Sequence, residues 1–236
     1  MNKKMEISDT EQEYINAQYK LQKKIDLVNR IDIATVKTIA GVDLAYWKKE
    51  EEEYAVCCIV VLDYHTLTVI EKKYSIGKID VPYIPGCLAF REIPIFLNTY
   101  QKIENEPDVI FFDGNGYLHP RHMGLATHAG ILLNKSTVGI AKSYYKVGDE
   151  EFVMPIDEAN AYTNIEIGGE VYGRVLRTHR GVKPVFLSIG NKIDLDAAME
   201  LAITLVTKES HIPLPTRLAD IMTHEVRKQY TNIILG

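Results

Sequence analysis

The sequence predicts an α/β fold: a mixed sheet, begun by an antiparallel three-strand meander and continued by parallel strands, with helices on both faces. Three observations predict it. Three apolar stretches, 38–46, 54–62 and 66–74, succeed one another across short polar connections, which suit antiparallel neighbours. From residue 88 onward, helical and strand-like segments alternate, as in parallel strands joined by crossover helices. The 236 residues are 46% hydrophobic and 25% charged, an ordinary globular balance. No Gly/Ser linker, repeat or low-complexity stretch interrupts them, so one domain over 1–236 is expected.

Residues 8–30 carry Tyr14, Leu21, Ile25 and Val28 at helical spacing, with Asp9 or Thr10 as candidate caps. The three strands follow, and the glutamates at 50–53 suggest a solvated hairpin tip. A loop over 77–86 holds Pro82-Tyr83-Ile84-Pro85-Gly86. A helix is expected over 88–103, a buried strand over 108–113, a helix over 124–133 and a strand over 137–141. Strands over 170–178 and 184–189, a helix from about 194 and a last helix over 216–230 complete the chain. Pro213 and Pro215 mark the entry to that last helix.

No window of 18 apolar residues exists, so no membrane span is expected. Met1-Asn2-Lys3-Lys4-Met5-Glu6 lacks the apolar run of a signal peptide. Cys57, Cys58 and Cys87 have no metal-ligand spacing and fit buried thiols in a reducing compartment, which points to the cytoplasm. The net charge of −5 argues against binding nucleic acid by bulk attraction, but leaves local basic patches or bound cations open.

Candidate chemistry centres on the end of strand 108–113. There Asp113 stands before Gly114-Asn115-Gly116, with His119, Arg121, His122 and His128 beyond. An isolated Asp-Gly is first a turn signal. Asp43 interrupts an apolar strand, where a charge needs a partner or a metal. Glu92 and Asp220, taken alone, fit exposed helix acids. If the first strand neighbours the first parallel one, Asp43 and Asp113 meet, with Glu92 in reach. Such carboxylates suit Mg²⁺ or Mn²⁺ and the activation of water at a phosphate. Lys142, ending the next strand, would add a fixed positive charge. The histidine spacing fits no zinc pattern. His119 and Arg121 fit phosphate or substrate contacts, and His128 a core histidine. Tyr83, held between prolines, could wedge between bases or simply pack in a turn. Arg174, Arg177, His179, Arg180 and Lys183 form a basic run that is either a phosphate patch or a solvated face.

Six stretches in order carry a resemblance. They are Gly41-Val42-Asp43; Tyr83-Ile84-Pro85-Gly86 through Phe90-Arg91-Glu92; Asp113-Gly114 through His119-Pro120-Arg121; Gly124 to His128; Val138 to Ser143; and Thr216 to Asp220. Over about residues 10–230 the sequence resembles the endonuclease V family. The resemblance implies a ribonuclease H-like fold. It also implies Mg²⁺- or Mn²⁺-dependent cleavage of the second phosphodiester bond 3′ to a deaminated base, chiefly hypoxanthine, leaving 3′-hydroxyl and 5′-phosphate ends. It places metal carboxylates on Asp43, Glu92 and Asp113, a fourth and more variable site residue on Asp220, and a catalytic lysine on Lys142. The strand-separating wedge falls on Pro82, Tyr83, Ile84 and Pro85. The base pocket falls on Gly86, Leu88, Gly114 and Leu125, with His119 close to the metal. Asn115, Cys87 and Asn191 depart from the family's usual residues, which bears on substrate preference. The expected partner is DNA with deaminated bases, bound by a monomer. The rivals are an inosine-specific endoribonuclease, a non-catalytic lesion binder and a nucleotide phosphohydrolase.

Overall fold

The computed structural model describes residues 2–233. Helix α1 (Asn2–Gln22) starts before the expected residue 8 and ends well before 30. Asp9 and Thr10 therefore lie within it and do not cap it. Beyond Gln22 the apolar spacing continues, but the backbone turns repeatedly. Asp26 accepts a hydrogen bond from Val28 N (3.0 Å), Asn29 from Ile31 N (3.0 Å) and Asp32 from Ala34 N (3.1 Å). These local bonds compete with a helical ladder and win.

β1 (Thr38–Lys49), β2 (Glu52–Asp63) and β3 (Val69–Lys78) form the antiparallel meander. Only Glu50 and Glu51 make the first turn. Glu52 and Glu53 belong to β2, and Glu53 Oε2 lies 2.8 Å from Arg91 Nη2. β3 starts later than expected because Asp63 Oδ1 accepts from His65 N (3.1 Å) and Thr66 N (2.8 Å), prolonging the turn.

The alternating half follows: α2 (Ala89–Tyr100), β4 (Val109–Asp113), α3 (Leu125–Leu133) and β5 (Ser136–Ala141). β1, β4 and β5 are mutually parallel. The remaining strands are β6 (Ala161–Ile167), β7 (Glu170–Arg177) and β8 (Val185–Asn191), each antiparallel to its neighbour. β6 is not among the expected strands; Ile165 is its one buried residue, so its alternation carries little apolar signal. α4 (Leu195–Thr204) is capped by Asp194, which accepts from Ala197 N, and α5 (Leu214–Ile233) closes the described chain. One eight-stranded sheet results, in the order β3-β2-β1-β4-β5-β8-β7-β6. Its first five positions, with β2 alone antiparallel among β1, β4 and β5, make the fold ribonuclease H-like.

The pleat sends alternate residues to opposite faces. Ala40, Val42, Ile110 and Phe112 pack under α2 and α3 with Ile93, Phe96 and Ala129. Ile39, Val109, Phe111 and Val138 pack under α4 with Ala198 and Leu201. α5 covers the rest of that second face through Ala219 and Val226, against β1 and β2. Cys57 and Cys58 accordingly fall in different clusters. Among the described residues no helix is long and apolar enough to cross a membrane.

Two features create the site. β1 and β4 pair from Ile39 opposite Val109 to Val42 opposite Phe112, and β4 ends one residue later at Asp113. β1 continues to Lys49, so a cleft opens at the carboxyl end of β4, where α/β sheets bind ligands. Second, α5 enters directly over Gly41: a Cβ there would lie 2.0 Å from the Pro215 carbonyl carbon. Gly41→Ala is therefore expected to push α5 off the sheet and lower stability by about 2–3 kcal/mol, as overpacking does. A thermal melt checks this; a midpoint within a degree of the parent's would contradict the packing.

Candidate active site

Asp43 and Asp113 end up side by side, one residue beyond the last β1–β4 pair. α5 brings Asp220 over them. One carboxylate oxygen from each of Asp43, Asp113 and Asp220 lies within 4.8 Å of the others. Lys142, just past β5, sits 2.6 Å from Asp113 Oδ2 and 3.6 Å from Asp220 Oδ2. The Thr223 hydroxyl lies 2.9 Å from Asp43 Oδ2 and 2.7 Å from Asp220 O, so its one proton is shared between them. His224 Nε2 stands 3.3 Å from Asp220 Oδ1.

The cluster is short of positive charge. Burial, then the charge of Asp113, pushes the Asp43 carboxyl up to about 7. Burial also raises Asp113, against the pull of Lys142. Burial alone would lower Lys142, but its bond to Asp113 and the charges of Asp113, Asp220 and Asp43 hold it above the ordinary lysine value. One ammonium thus faces three close carboxylates. Hard oxygen donors in excess of local positive charge fit a divalent cation.

Glu92 is buried on α2, on the other face of the sheet. Its Oε1 accepts a 2.7 Å hydrogen bond from Tyr46 Oη, and burial pushes it up to about 7. It is outside the three-acid group, although it feels the charges of Asp43 and Asp113.

Beside the acids lies a cavity of about 210 Å³. Its volume, well below the roughly 300–1,000 Å³ of drug-sized pockets, suits a ligand no larger than a single small ring system. Gly86, Leu88 and Ala89 line one side, Gly114, Asn115 and Leu125 another. Asp113 and Glu92 face the same cavity. Tyr83, 66% exposed, stands at its rim with its ring 5.9 Å from the Arg91 guanidinium.

A family model for endonuclease V matches residues 19–221. The chain belongs to the endonuclease V family. It is 52% identical over 218 residues to an endonuclease V of Bacillus thuringiensis subsp. konkukian, covering 92% of this chain and 93% of that one. Its fold is similar to the crystal structure of Bacillus subtilis endonuclease V, with TM-score 0.92, 52% identity and 94% of both chains covered. It is also similar to Ciona intestinalis endonuclease V in complex with a 24-mer DNA containing an inosine followed by a ribo-adenosine. There the TM-score is 0.81 and the identity 28%, over 94% of this chain and 99% of that one. Endonuclease V proteins are nucleases, and the acid cluster fits a metal-dependent site.

The expected site residues separate into groups. Asp43, Asp113, Asp220 and Lys142 form the cluster. Tyr83, Gly86, Leu88, Gly114, His119 and Leu125 line the cavity beside it. Pro82 and Pro85 are exposed on the loop that leads into α2, while Ile84 is buried beneath it. His119 and Arg121 are engaged by the protein: His119 Nε2 lies 3.0 Å and Arg121 Nη2 2.9 Å from Gly86 O. His128 is a core histidine edge-on to Phe90, lowered to about 4 by burial. The basic run is not one patch. Arg174 pairs with Asp196 at 2.6 Å beneath α4, and Arg177 donates to Val182 O. Sequence reasoning missed Thr223, His224, Tyr46, Tyr145 and Gln18. The first two follow Asp220 at the three- and four-residue spacing of one helix face, which was the available signal.

Proposed function

We propose that this protein is a DNA-repair endonuclease that nicks the second phosphodiester bond 3′ to a deaminated base, chiefly hypoxanthine. Mg²⁺ is the cofactor, Mn²⁺ substitutes for it, and the products carry 3′-hydroxyl and 5′-phosphate ends. The observation that carries this is the shared wall. Asp113 belongs to both the acid cluster and the base-sized cavity, and Gly114 follows it directly. The inosine-containing DNA bound by the Ciona relative supports the same reading.

In this reading a deaminated base leaves the stack and enters the cavity, at least cost where it is mispaired. Backbone of Gly86, Leu88, Gly114 and Leu125 borders it. Asn115 Oδ1 is buried without a protein partner on the same wall, an acceptor for a base N–H. Tyr83 occupies the gap in the strand. The scissile phosphate lies over Asp43, Asp113 and Asp220. A cation held by those acids, with Glu92 behind them, would polarise the phosphate and lower the pKa of an attacking water. Lys142 stays protonated and stabilises the negative charge that develops on the phosphate.

The test is Mg²⁺-dependent nicking of a strand with one inosine, run beside an undamaged strand. No nicking would leave a lesion-binding module. Parallel DNA and RNA strands separate the runner-up, an inosine endoribonuclease, which the ribo-adenosine in the Ciona complex keeps in play. Tyr83→Ala is expected to raise KM roughly tenfold on an inosine duplex, since one base–aromatic stack is worth about 1–3 kcal/mol. It should do less on single strands, which need no separation. Equal effects on both would contradict the wedge. The working form proposed is one monomeric domain over 1–236. Three free, buried cysteines agree with a cytoplasmic setting.

A further inference from the structure

The Gly86 carbonyl oxygen accepts from three side chains. Gln18 Nε2 lies at 2.8 Å, Arg121 Nη2 at 2.9 Å and His119 Nε2 at 3.0 Å. The donors are themselves tied. Arg121 Nε donates to Gln18 Oε1 at 2.5 Å. His119 Nδ1 accepts from Arg121 N (3.1 Å) and Met123 N (3.3 Å), which leaves the ring proton on Nε2, facing Gly86. On the far side of the same peptide, Cys87 N donates to Ile84 O at 2.9 Å. Both polar atoms of the Gly86–Cys87 peptide are thus fixed.

This peptide sits where the wedge loop ends and α2 begins. Gly86 is left-handed, at φ +75°, and a Cβ there would meet Arg121 Nη2 at 2.7 Å. Gly86, Leu88 and Ala89 line the base-sized cavity, and the Leu88 and Ala89 N–H groups precede the first helical-turn bonds, Phe90 N to Cys87 O (3.1 Å) and Arg91 N to Leu88 O (2.9 Å). The clamp therefore sets where those groups point and how wide the cavity is. Gln18 is its most remote member. It lies on α1, far from the acids in sequence, and is fully buried. Tyr14, one turn earlier, stacks on Phe90 of α2 with ring centroids 4.1 Å apart, so α1 is seated against the back of the cavity wall.

We propose that Gln18 is a positioning residue for base recognition, holding with Arg121 and His119 the Gly86 peptide that shapes the cavity. This rests on the functional reading above. It touches neither the phosphate nor the acid cluster, so its loss should weaken recognition and spare the chemical step. Such a change raises KM with kcat held, the signature of lost uniform binding.

The experiment compares wild type with Gln18→Met and Gln18→Glu by steady-state nicking of an inosine strand in Mg²⁺. Met keeps the volume and removes both polar atoms. Glu keeps the acceptor for Arg121 and removes the donor to Gly86, so it preserves the α1 contact should the Met variant fold poorly. Both are expected to raise KM roughly tenfold, the loss of about one hydrogen bond to a charged network. kcat should stay within about twofold and the Mg²⁺ midpoint should not move. Preference for inosine over an undamaged strand should fall with KM. Wild type that leaves the inosine strand intact would overturn the functional reading and this inference with it. Wild type that nicks, with unchanged KM in the Glu variant or a loss confined to kcat, would overturn the role of Gln18 alone.

Discussion

Asp113→Ala will abolish nicking while leaving an inosine-containing strand bound. Among the described residues, Asp113 is the one carboxylate shared by the acid cluster and the cavity beside it. Removing it takes a ligand from the three-acid group and frees the Lys142 ammonium, 2.6 Å away, to turn towards Asp220. The charge that should bind a cation falls, and the remaining cation loses its placement over the phosphate. A drop in kcat of at least about a thousandfold is expected, the scale of removing one well-placed electrostatic group from a site whose members act together. The cavity walls at Gly86, Leu88, Asn115 and Leu125 do not depend on that carboxylate, so retention of the strand in a mobility-shift assay should change by less than about tenfold. This split is the opposite of the one expected for Gln18. Nicking within tenfold of wild type would remove Asp113 from the chemistry. Loss of binding and nicking together would mean that Asp113 supports the cavity rather than the cation.

Much of this site was legible because two facts about strands suffice to place it. A carboxylate inside an apolar run must be explained by its neighbours, and adjacent parallel strands bring equivalent positions together. The sequence alone therefore pairs Asp43 with Asp113. Asp220 was harder, since its position depends on how α5 crosses β1, which Gly41 decides by letting Pro215 approach. Glu92 was placed on the right helix, but sequence could not show that it faces Tyr46 across the sheet from Asp220. The Gly86 clamp was beyond reach: its donors are 68, 35 and 33 residues away, and only tertiary contact makes Gln18 relevant. Local competition hid other features. Asx turns at Asp26, Asn29 and Asp32 stop α1 although Ile25 and Val28 keep its periodicity. Asn191 is a structural fastener: it accepts from Asp26 N and donates to Gly130 O and Lys135 O, away from the acids.

Asp43→Asn should stabilise the metal-free protein at pH 8 and inactivate it at the same time. The Asp43 carboxyl is pushed up to about 7 by burial and then by Asp113, against an ordinary value of 3.8. The native state therefore holds that proton more tightly than the unfolded chain does. Stability falls as pH rises from about 4 to about 7, and the loss is complete above that. The full interval corresponds to about 4 kcal/mol at 1.36 kcal/mol per pKa unit. Part of that strain belongs to Asp113 and Lys142, which also respond when Asp43 is neutralised. A gain of about 2 kcal/mol is expected for the single substitution, or roughly 4–8 °C for a chain of this size. Asparagine keeps an oxygen for Thr223, so no buried donor is stranded. Added Mg²⁺ should erase that advantage. Wild type gains stability in proportion to its occupied site, and the variant, short of one ligand, gains little. Melting curves of both proteins at pH 5 and pH 8, with chelator and with Mg²⁺, test every arm. The variant's advantage should be small at pH 5, largest at pH 8 with chelator, and gone with Mg²⁺. An advantage of equal size at both pH values would mean that packing, not charge, sets the cost of Asp43.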